Sequence, residues 1–483
     1  MNKDGAIEDG ADKTAQVMRR ENDGADDARR STSAVSSAPS HPRRFYIETY
    51  GCQMNAADSE LMAGVLEREG YARAEQPGEA AIILVNTCAV RDHAEQRVFG
   101  RVGALKRDKA KGAVLGVVGC MAQRLGARLL ERAPHVDFVV GPDGYRQLPQ
   151  LVRDAQSGDR AALTAFLSTE HYEDITPGRV TGASAWITVQ RGCNYRCTFC
   201  IVPYTRGNER SRRLADVVRE AQGLAAQGVS EVTLLGQTVN SWNDGTHDFA
   251  DLLRAVGAVD GIRRMRFTSP HPNDFSDRVI AAMADTPAMC EYVHLPVQSG
   301  SDRVLKRMVR RYTRGVYLDV VQRLRAAIPD ISLSTDIIVG FPGETDADFE
   351  ETLSLVRDVG FDGAYTFKFS PREGTPALKL PDAVPDEVAS ERLARLIGLV
   401  REGARTRNAA LVGTTHEVLI EEPASKTPQL QGRTRHGRVA ILDGPASWIG
   451  TYRRVRFTGT TGATFSAVPV SVPLAIAQGG SAA

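Results

Sequence analysis

The stretch Cys193-Asn-Tyr-Arg-Cys197-Thr-Phe-Cys200 decides the fold of this chain. It follows the apolar, β-prone run Ala185-Trp-Ile-Thr-Val-Gln190, and Arg191-Gly192 interrupts the strand just before the first cysteine. Three thiols therefore lie in one loop at the carboxyl end of a predicted strand. Thiolates are the usual ligands of iron–sulfur clusters, which normally take four of them. Three local cysteines thus predict a cluster with one iron left open for a substrate or cofactor.

Two other interpretations of this loop stay open at this point. A zinc site usually pairs a short cysteine motif with a second Cys or His pair. The sequence has no second C-x-x-C and no H-x-x-x-H. Packed cysteines without a ligand are the other alternative, although three of them rarely fall within one loop. A disulfide is not expected in a reducing compartment.

Size and composition describe an ordinary globular chain of several domains. The chain has 483 residues, of which 42% are hydrophobic and 25% charged, and its net charge is +1. A net charge this close to zero does not indicate that the chain as a whole binds a polyanion. A nucleic-acid site therefore has to be a local basic patch. No apolar run of about 18 residues and no secretory signal is found. We therefore expect a cytoplasmic protein, and in that compartment cysteines are typically metal ligands or catalytic groups. The chain has seven of them.

Three segments without a periodic apolar pattern delimit the predicted domains. Residues 1–42 are rich in charged and small residues and lack aromatic side chains, which predicts a disordered tail. Residues 156–184 are polar and turn-prone, which predicts a linker, and residues 474–483 form a second tail. Three domains remain, at 43–155, 185–410 and 411–473.

In residues 43–155, a cysteine directly follows each of the first three predicted strands. The strands are predicted at Arg44–Tyr50, Ala81–Asn86, Ala113–Val118 and Val136–Val140. Near-continuous apolar strands alternating with helices predict a doubly wound parallel sheet, whose carboxyl strand ends share one edge. Cys52, Cys88 and Cys120 are therefore predicted to converge on a second three-cysteine site. The alternative is that these cysteines only pack at strand ends.

Residues 185–410 repeat the strand–helix pattern six times. The strands are predicted at Ala185–Gln190, Glu231–Leu235, Arg264–Thr268, Tyr292–Pro296, Ser332–Val339 and Ala364–Phe369. Six such units predict a complete or partial (β/α)6 barrel with its active site at the carboxyl strand ends. Those ends carry Gly236-Gln237, Gln298-Ser-Gly300 and Gly340-Phe-Pro-Gly343. Glycine lets a ligand approach the backbone closely, although ordinary turns use the same residues.

Other polar residues near this face give weaker signals, and no catalytic residue is assigned. The basic run Tyr204–Arg213 follows the cysteine loop, and it either contacts an anionic ligand or begins a solvated helix. His271 and His294 are more typical of hydrogen-bonded core or loop residues than of acid–base catalysts. Cys290 precedes a strand and is interpreted as a packed thiol.

Residues 411–473 predict a small β-barrel with a basic face. Short strands are predicted at His416–Ile420, Gly437–Ile441 and Tyr452–Phe457, separated by turn residues. Arginines and rings alternate there: Arg433, Arg435, His436, Arg438, Trp448, Tyr452, Arg453, Arg454, Arg456 and Phe457. Basic groups beside rings are typical of proteins that bind single-stranded or loop RNA. A solvated surface is the alternative.

Together these motifs resemble the radical S-adenosylmethionine (SAM) methylthiotransferases over residues 43–473. The C-x-x-x-C-x-x-C spacing is that of the radical SAM superfamily, and the C-terminal region resembles the RNA-binding TRAM domain. Tyr50-Gly-Cys-Gln-Met-Asn55 and Asn86-Thr-Cys-Ala-Val-Arg91 are most similar to the branch that acts on isopentenyl-adenosine next to the anticodon of tRNA. Thr238 departs from the family, which usually has Asn at this position.

The resemblance implies an enzyme with two [4Fe–4S] clusters and SAM. The cluster that cleaves SAM would be held by Cys193, Cys197 and Cys200, and the cluster that carries sulfur by Cys52, Cys88 and Cys120. The positions around SAM would be Gly236, Gln237, Gln298, Ser299, Ile338 and Gly340. A radical from SAM would take hydrogen from C2 of the adenine, sulfur would replace it, and a second SAM would supply the methyl group.

The same resemblance implies the partners and the rival functions. The expected partners are tRNA, through its anticodon stem-loop, and an electron-donor protein. No membrane partner is expected, and we expect a monomer. A rival enzyme function has threonylcarbamoyl-adenosine in tRNA or a ribosomal-protein aspartate as its substrate. A rival of another class is a zinc-stabilised RNA-binding protein without catalysis.

Overall fold

The structure is a computed structural model that describes residues 16–18, 43–89, 92–179 and 182–470. The chain divides into two compact units. The first unit runs to Arg179 and also includes Tyr204–Gly207, and the second contains Val180–Pro203 and the chain from Asn208 onward. The predicted tails lie outside the described residues, apart from the strand Gln16–Met18. Among the described helices, none has the length and apolar composition needed to cross a membrane.

The first unit is built on a seven-stranded sheet. Across the sheet the strands are Gln16–Met18, Arg160–Leu163, Phe138–Val140, Val114–Gly119, Ile82–Thr87, Arg44–Thr49 and Ala72–Arg73. All neighbours are parallel except the first pair. The helices are Gln53–Arg68, Asp92–Asp108, Cys120–Leu125, Ala127–Arg132 and Leu148–Gln156. Ile82 and Leu84 pack into one apolar cluster and Ile83 and Val85 into another, so both faces of the sheet are buried. The predicted doubly wound sheet is confirmed.

Two predictions about the edge of this sheet are corrected. The segment 156–184, predicted to be a linker, contains the strand Arg160–Leu163, which pairs in parallel with Phe138–Val140. Gln16–Met18, within the predicted disordered tail, pairs antiparallel with the same strand. Runs of three or four residues are too short to show a sequence period. The sheet recruits them by backbone pairing, which leaves no pattern in the side chains.

The described part of the second unit contains six parallel strands that form an open barrel. They are Ser184–Thr188, Glu231–Leu235, Arg264–Phe267, Tyr292–His294, Ser332–Val339 and Gly363–Lys368. They form two hydrogen-bonded groups of three. Met265 joins the groups, because its N–H donates to the Ala288 carbonyl at 2.7 Å and its carbonyl accepts from Cys290 at 3.0 Å. The predicted partial (β/α)6 barrel is confirmed, and Cys290 is a buried thiol as predicted.

Helices cover the outside of this barrel. They are Leu214–Ala226, Phe249–Gly257, Asp277–Asp285, Asp302–Arg307, Arg314–Ala327, Asp346–Val359 and Asp386–Ala409. Strand residues such as Val293, Leu333 and Ile337 pack against them in the main apolar core. The short helix Val202–Arg206 and the paired strands Gln190–Arg191 and Arg210–Ser211 flank the cysteine loop. The loop thus leaves a barrel that is packed on its outer surface.

A closed five-stranded barrel ends the described chain. Its strands are Thr415–Pro423, Leu430–Thr434, Val439–Leu442, Tyr452–Thr460 and Thr464–Pro469. Val418, Val455, Phe457 and Phe465 fill its interior and are essentially inaccessible to solvent. The sequence pattern indicated three of these strands. The small C-terminal β-barrel is confirmed.

The single basic face predicted for this small barrel is corrected. Arg435 forms an ion pair with Glu291 and Arg438 forms one with Asp362, both within the second unit. Arg433 pairs with Glu421 on the neighbouring strand. Tyr452 and Phe457 are buried, whereas Arg454 and Arg456 are exposed. A count of basic residues cannot separate side chains that attach the barrel from those that face solvent.

Two buried arginines of the six-stranded barrel bind the small barrel. Arg264 donates to the Glu417 carboxylate at 2.8 Å and to the Arg433 carbonyl at 2.9 Å. Arg266 donates to the Thr434 carbonyl at 2.7 Å and to Glu231 at 2.9 Å. These bonds fix the small barrel through its backbone as well as through charge.

We expect Arg266→Leu to lower the free energy of unfolding by about 3 kcal/mol, since removal of one partner leaves the buried Glu231 carboxylate without its closest cation. Detachment of the small barrel should also make residues 410–414 a site of faster proteolysis. Denaturant unfolding and limited proteolysis measure both effects. The matched control is Arg454→Leu, which removes an exposed arginine of the small barrel. Equal unfolding midpoints for the two variants would contradict the assigned role.

Candidate iron–sulfur sites

The loop Cys193–Cys200 leaves the carboxyl end of the first barrel strand. Gly192 makes the exit possible, because its φ of +77° is a conformation that favours glycine. The Gly192 N–H donates to Gln237 Oε1 at 2.5 Å. Within the loop, the Cys200 N–H donates to the Cys197 carbonyl at 3.0 Å, so the chain turns back on itself between these two cysteines. The three cysteines therefore lie in one short loop that follows the carboxyl end of this strand.

The backbone of the loop is held from two sides. Thr198 donates its N–H to the Met308 carbonyl and its hydroxyl to the Arg307 carbonyl, both at 3.0 Å. On the other side, the Tyr195 ring stacks on His271 with centroids 3.8 Å apart. His271 is buried, and its pKa is lowered to about 2, chiefly by that burial. Its Nδ1 accepts a hydrogen bond from the Asn273 N–H at 3.2 Å, which holds the ring against Tyr195.

Two side chains contact the thiols of this loop. Thr238 Oγ1 lies 3.0 Å from Cys193 Sγ, and the Arg310 guanidinium donates to Cys197 Sγ at 3.5 Å. Burial raises the pKa of the Cys193 thiol and raises that of Cys200 to about 12. Metal binding to these thiols therefore has to release protons. Sequence reasoning missed Arg310, which lies 113 residues after its thiol partner.

The predicted SAM positions fall into two sets in the structure. Gln298 and Ile338 are brought together, because the Ile338 N–H donates to the Gln298 carbonyl at 2.9 Å. Gln298 has a φ of +71°, which is uncommon for a residue with a side chain and typical of functional positions. Gln237 lies beside the cysteine loop, and its Nε2 is buried without a hydrogen-bond partner among the described residues. These three residues leave polar or backbone groups near the strand ends.

The other three predicted positions make contacts within the chain. The Ser299 hydroxyl lies 3.4 Å from Thr352 Oγ1 and accepts from the Ser301 N–H at 3.2 Å. The Gly340 N–H donates to Glu344 at 2.7 Å. A Cβ on Gly236 would lie 2.9 Å from Val239 Cα. These residues shape the strand ends and present little side chain to a ligand.

We expect Gly300→Ala to destabilise the protein by about 1–3 kcal/mol, because a Cβ there would lie 2.5 Å from Thr352 Cα and 2.6 Å from the Glu351 carbonyl oxygen. Backbone atoms cannot swing away, so the loop that begins at Gln298 has to move. Thermal unfolding measures the loss. Gly398→Ala is the matched control, since nothing lies within 4 Å of its Cβ and the residue is in a helix. An equal melting temperature for both variants would contradict the expected clash.

The first unit places its three cysteines at neighbouring strand ends. Cys52 is the N-cap of helix Gln53–Arg68, and Cys120 is the first residue of helix Cys120–Leu125. Thr87, just before Cys88, is the register partner of Gly119, just before Cys120. Cys52 is exposed, whereas the other two cysteines are buried. The predicted convergence of these strand ends is thus visible in the register of the sheet.

An amide network joins these strand ends. The Asn55 side chain lies 3.4 Å from Cys52 Sγ through its Oδ1 and donates from Nδ2 to the Thr87 carbonyl at 3.1 Å. Asn86 Nδ2 donates to the Asn55 carbonyl at 2.7 Å. The Thr87 hydroxyl donates to the Val118 carbonyl at 2.6 Å. The two amides and the Thr87 hydroxyl therefore connect the three strand ends that precede the thiols.

A buried ion pair completes the surroundings of Cys120. Arg206 belongs to the first unit and donates to the Asp58 carboxylate at 2.7 Å, and both side chains are almost fully buried. Burial raises the pKa of the Cys120 thiol, and the charge of Arg206 opposes this shift. The basic run after the cysteine loop is thus partly a structural element, since Arg212 also pairs with Glu220.

Comparison with known sequences identifies the family. The radical SAM superfamily matches residues 187–356, and the family described as uncharacterized protein family UPF0004 matches residues 44–141. The tRNA-2-methylthio-N(6)-dimethylallyladenosine synthase of Alkalilimnicola ehrlichii is 46% identical over 424 residues, covering 86% of this chain and 95% of the relative. The synthase of the same name from Acidothermus cellulolyticus is 48% identical, covering 84% of each chain. The chain belongs to the radical SAM methylthiotransferase family.

A solved structure agrees with this family at the level of the fold. The radical SAM methyltransferase TsrM from Kitasatospora setae, with cobalamin and a [4Fe–4S] cluster bound, superposes with a TM-score of 0.53. The match covers 70% of this chain and 74% of TsrM, at 17% identity. This methylthiotransferase therefore shares the arrangement of strands and helices with TsrM.

The cofactors of the family are two [4Fe–4S] clusters and SAM, and the donor sets of this methylthiotransferase suit them. Each triad consists of thiols alone, the donors that such clusters take. Among the described residues, no three His, Cys, Asp or Glu side chains surround a single metal ion.

Proposed function

We propose that this methylthiotransferase converts isopentenyl-adenosine next to the anticodon of tRNA into its 2-methylthio derivative. One observation carries the proposal. The three-cysteine loop stands at the carboxyl edge of a six-stranded barrel, in a chain whose relatives at 46–48% identity are named tRNA-2-methylthio-N(6)-dimethylallyladenosine synthases. Barrels of this kind use the carboxyl ends of their strands for catalysis.

We assign the two cysteine triads to two clusters. In this assignment Cys193, Cys197 and Cys200 hold the cluster that binds SAM, and Cys52, Cys88 and Cys120 hold the cluster that carries sulfur. When bound, the clusters and SAM supply the one-electron chemistry and the sulfur and methyl groups. The chain itself fixes the thiols, through Thr198 in one unit and Asn55 in the other. This division gives each triad an open iron with a different task.

We assign the SAM contacts unequally among the predicted residues. Gln237 offers a side-chain donor, and Gln298 with Ile338 offers a backbone edge at the ends of adjoining strands. Gly236, Ser299 and Gly340 act by shaping the turns.

We assign tRNA binding in part to the exposed arginines of the small barrel. Arg454 and Arg456 are exposed, and the Arg453 guanidinium lies 4.6 Å from the centroid of the Trp448 ring. Arginine beside an aromatic ring can bind phosphate and stack on an unpaired base. We further propose a cytoplasmic monomer that takes electrons from a separate donor protein.

Analysis of tRNA from a strain that lacks the gene tests the proposal. We expect isopentenyl-adenosine to accumulate without its methylthio group, and the wild-type gene to restore it, as measured by mass spectrometry of nucleosides. The gene with Cys193→Ala is the control and should not restore it. Loss of methylthio groups from threonylcarbamoyl-adenosine, or from a ribosomal-protein aspartate, would instead support the rival substrates.

A further inference from the structure

The Arg310 guanidinium is placed against a thiol of the SAM-cleaving triad, and all three of its nitrogens are engaged. Nη1 donates to Cys197 Sγ at 3.5 Å, Nη2 to the Pro296 carbonyl at 3.3 Å, and Nε to Tyr312 Oη at 3.1 Å. Because a guanidinium is planar and its donors point in fixed directions, three partners determine its orientation. The guanidinium is therefore held in a fixed orientation, with one nitrogen directed at the Cys197 sulfur.

The surroundings hold Arg310 rigidly. Tyr312 lies beside it with its ring centroid 5.1 Å from the guanidinium carbon, and its hydroxyl donates to the Val297 carbonyl at 2.7 Å. Tyr312 is buried and packs against Tyr317. The turn that leads into Arg310 passes through Val309, whose φ is +56°. A left-handed conformation at a β-branched residue is strained, which fits a position that aims the next side chain.

The same turn holds the backbone of the cysteine loop. Thr198, which follows Cys197, binds the carbonyls of Met308 and Arg307. One short segment, Arg307–Arg310, thus fixes both the backbone beside Cys197 and the sulfur itself. A segment that only filled space would not need to bind both the backbone of the loop and the Cys197 sulfur.

Among the residues that the structure describes, no carboxylate lies at ion-pair distance from the Arg310 guanidinium. Most neighbouring arginines have such a partner, as Arg303 has Asp348 and Arg314 has Asp358. A half-buried cation normally requires an anion, since desolvating a lone charge is costly. The anion that Arg310 faces is the thiolate of Cys197 once the triad has bound its cluster.

We propose that Arg310 is a positioning residue that raises the reduction potential of the cluster on Cys193, Cys197 and Cys200. The proposal rests on the cysteine assignment made above. Reduction adds one electron to the cluster and makes or breaks no bond, so the reduced state carries one more negative charge. A fixed cation and a hydrogen bond to a ligand sulfur stabilise that state. Removal of the cation should therefore lower the potential.

Redox titration of the isolated cluster tests this inference. The parent protein carries Cys52→Ala, Cys88→Ala and Cys120→Ala, so that only the other triad can hold a cluster. Arg310→Gln and Arg310→Lys are compared in it with Lys306→Gln, which removes an exposed charge from the preceding helix. Electron paramagnetic resonance measures the reduced fraction at a fixed applied potential, and iron content is measured in each sample.

We expect Arg310→Gln to lower the ratio of reduced to oxidised cluster about tenfold at a fixed potential, which corresponds to a midpoint lower by about 59 mV for a one-electron couple. Arg310→Lys should retain most of the parent value, and Lys306→Gln all of it. If Arg310→Gln alone loses its iron while the lysine variant keeps it, the need for a cation is supported.

Two results would overturn the inference. One is an unchanged potential in Arg310→Gln. The other is equal loss of iron from both Arg310 variants, which would mean that only shape matters. A parent protein without any iron would instead contradict the cysteine assignment itself, and the role of Arg310 would fall with it.

Discussion

Replacement of Cys193, Cys197 and Cys200 together by alanine is expected to abolish the formation of 5′-deoxyadenosine from SAM. The three thiols are the protein anchors that this loop offers, and alanine cannot bind iron. Without the anchors no electron reaches SAM, so the loss should be complete and product should fall to the level of a sample without protein. Chromatography of anaerobic reactions with SAM and a chemical reductant measures the product.

Cys290→Ala is the matched control for this experiment. Cys290 is a buried thiol of the same unit, and it precedes the strand Tyr292–His294 at the end of the barrel away from the cysteine loop. We expect this variant to keep its iron and to form 5′-deoxyadenosine at the wild-type rate. Continued product formation by the triple variant would refute the assignment of the loop to SAM cleavage.

Replacement of Cys52, Cys88 and Cys120 together by alanine is expected to leave SAM cleavage intact and to stop methylthiolation. Cys193, Cys197 and Cys200, which we propose as ligands of the SAM-cleaving cluster, lie in a separate compact unit, so SAM cleavage should continue. Methylthio-adenosine should not form, because the triad that we propose as the sulfur carrier is gone. Mass spectrometry of an isopentenylated anticodon stem-loop RNA, together with the 5′-deoxyadenosine assay, measures both outcomes in one reaction.

Asn55→Ala provides a graded comparison for the second triad. Its side chain joins the turns of Cys52 and Cys88, so its loss should weaken methylthiolation without abolishing it. If the triple variant still transfers a methylthio group to RNA, the sulfur-carrying role of Cys52, Cys88 and Cys120 is wrong. If the triple variant stops cleaving SAM, the two triads are not separable in function.

The positions of the six cysteines were predictable because each follows from the order of predicted strands or from closeness in sequence. Cys52, Cys88 and Cys120 each lie just after the end of a strand, and parallel strands put such positions on one edge. The register of Thr87 with Gly119 realises that expectation directly. The loop Cys193–Cys200 was predictable for another reason, since its thiols are close in sequence and need no fold to meet.

The residues that sequence reasoning missed act across long sequence separations. Arg310 meets Cys197 only because the helix Asp302–Arg307 ends beside the cysteine loop, and that helix is too short to give a clear period. Thr238 is a departure from the family pattern, and the structure places its hydroxyl at Cys193 Sγ. Neither contact has a signal in local composition.

The basic face of the small barrel shows a different limit of sequence reasoning. Arginine occurs both in buried ion pairs and at solvated surfaces, because it remains charged in either environment. Arg435 and Arg438 reach acidic partners contributed by the six-stranded barrel. Only the arrangement of the two barrels decides which arginines remain exposed.

Anaerobic metal analysis of the wild-type protein and the two triple variants tests the central claim most directly. That claim is that two separate cysteine triads each hold a [4Fe–4S] cluster. The account predicts about eight irons per chain in the wild-type protein and about four in either triple variant. One zinc per chain, or an iron content that either triple replacement leaves unchanged, would contradict it.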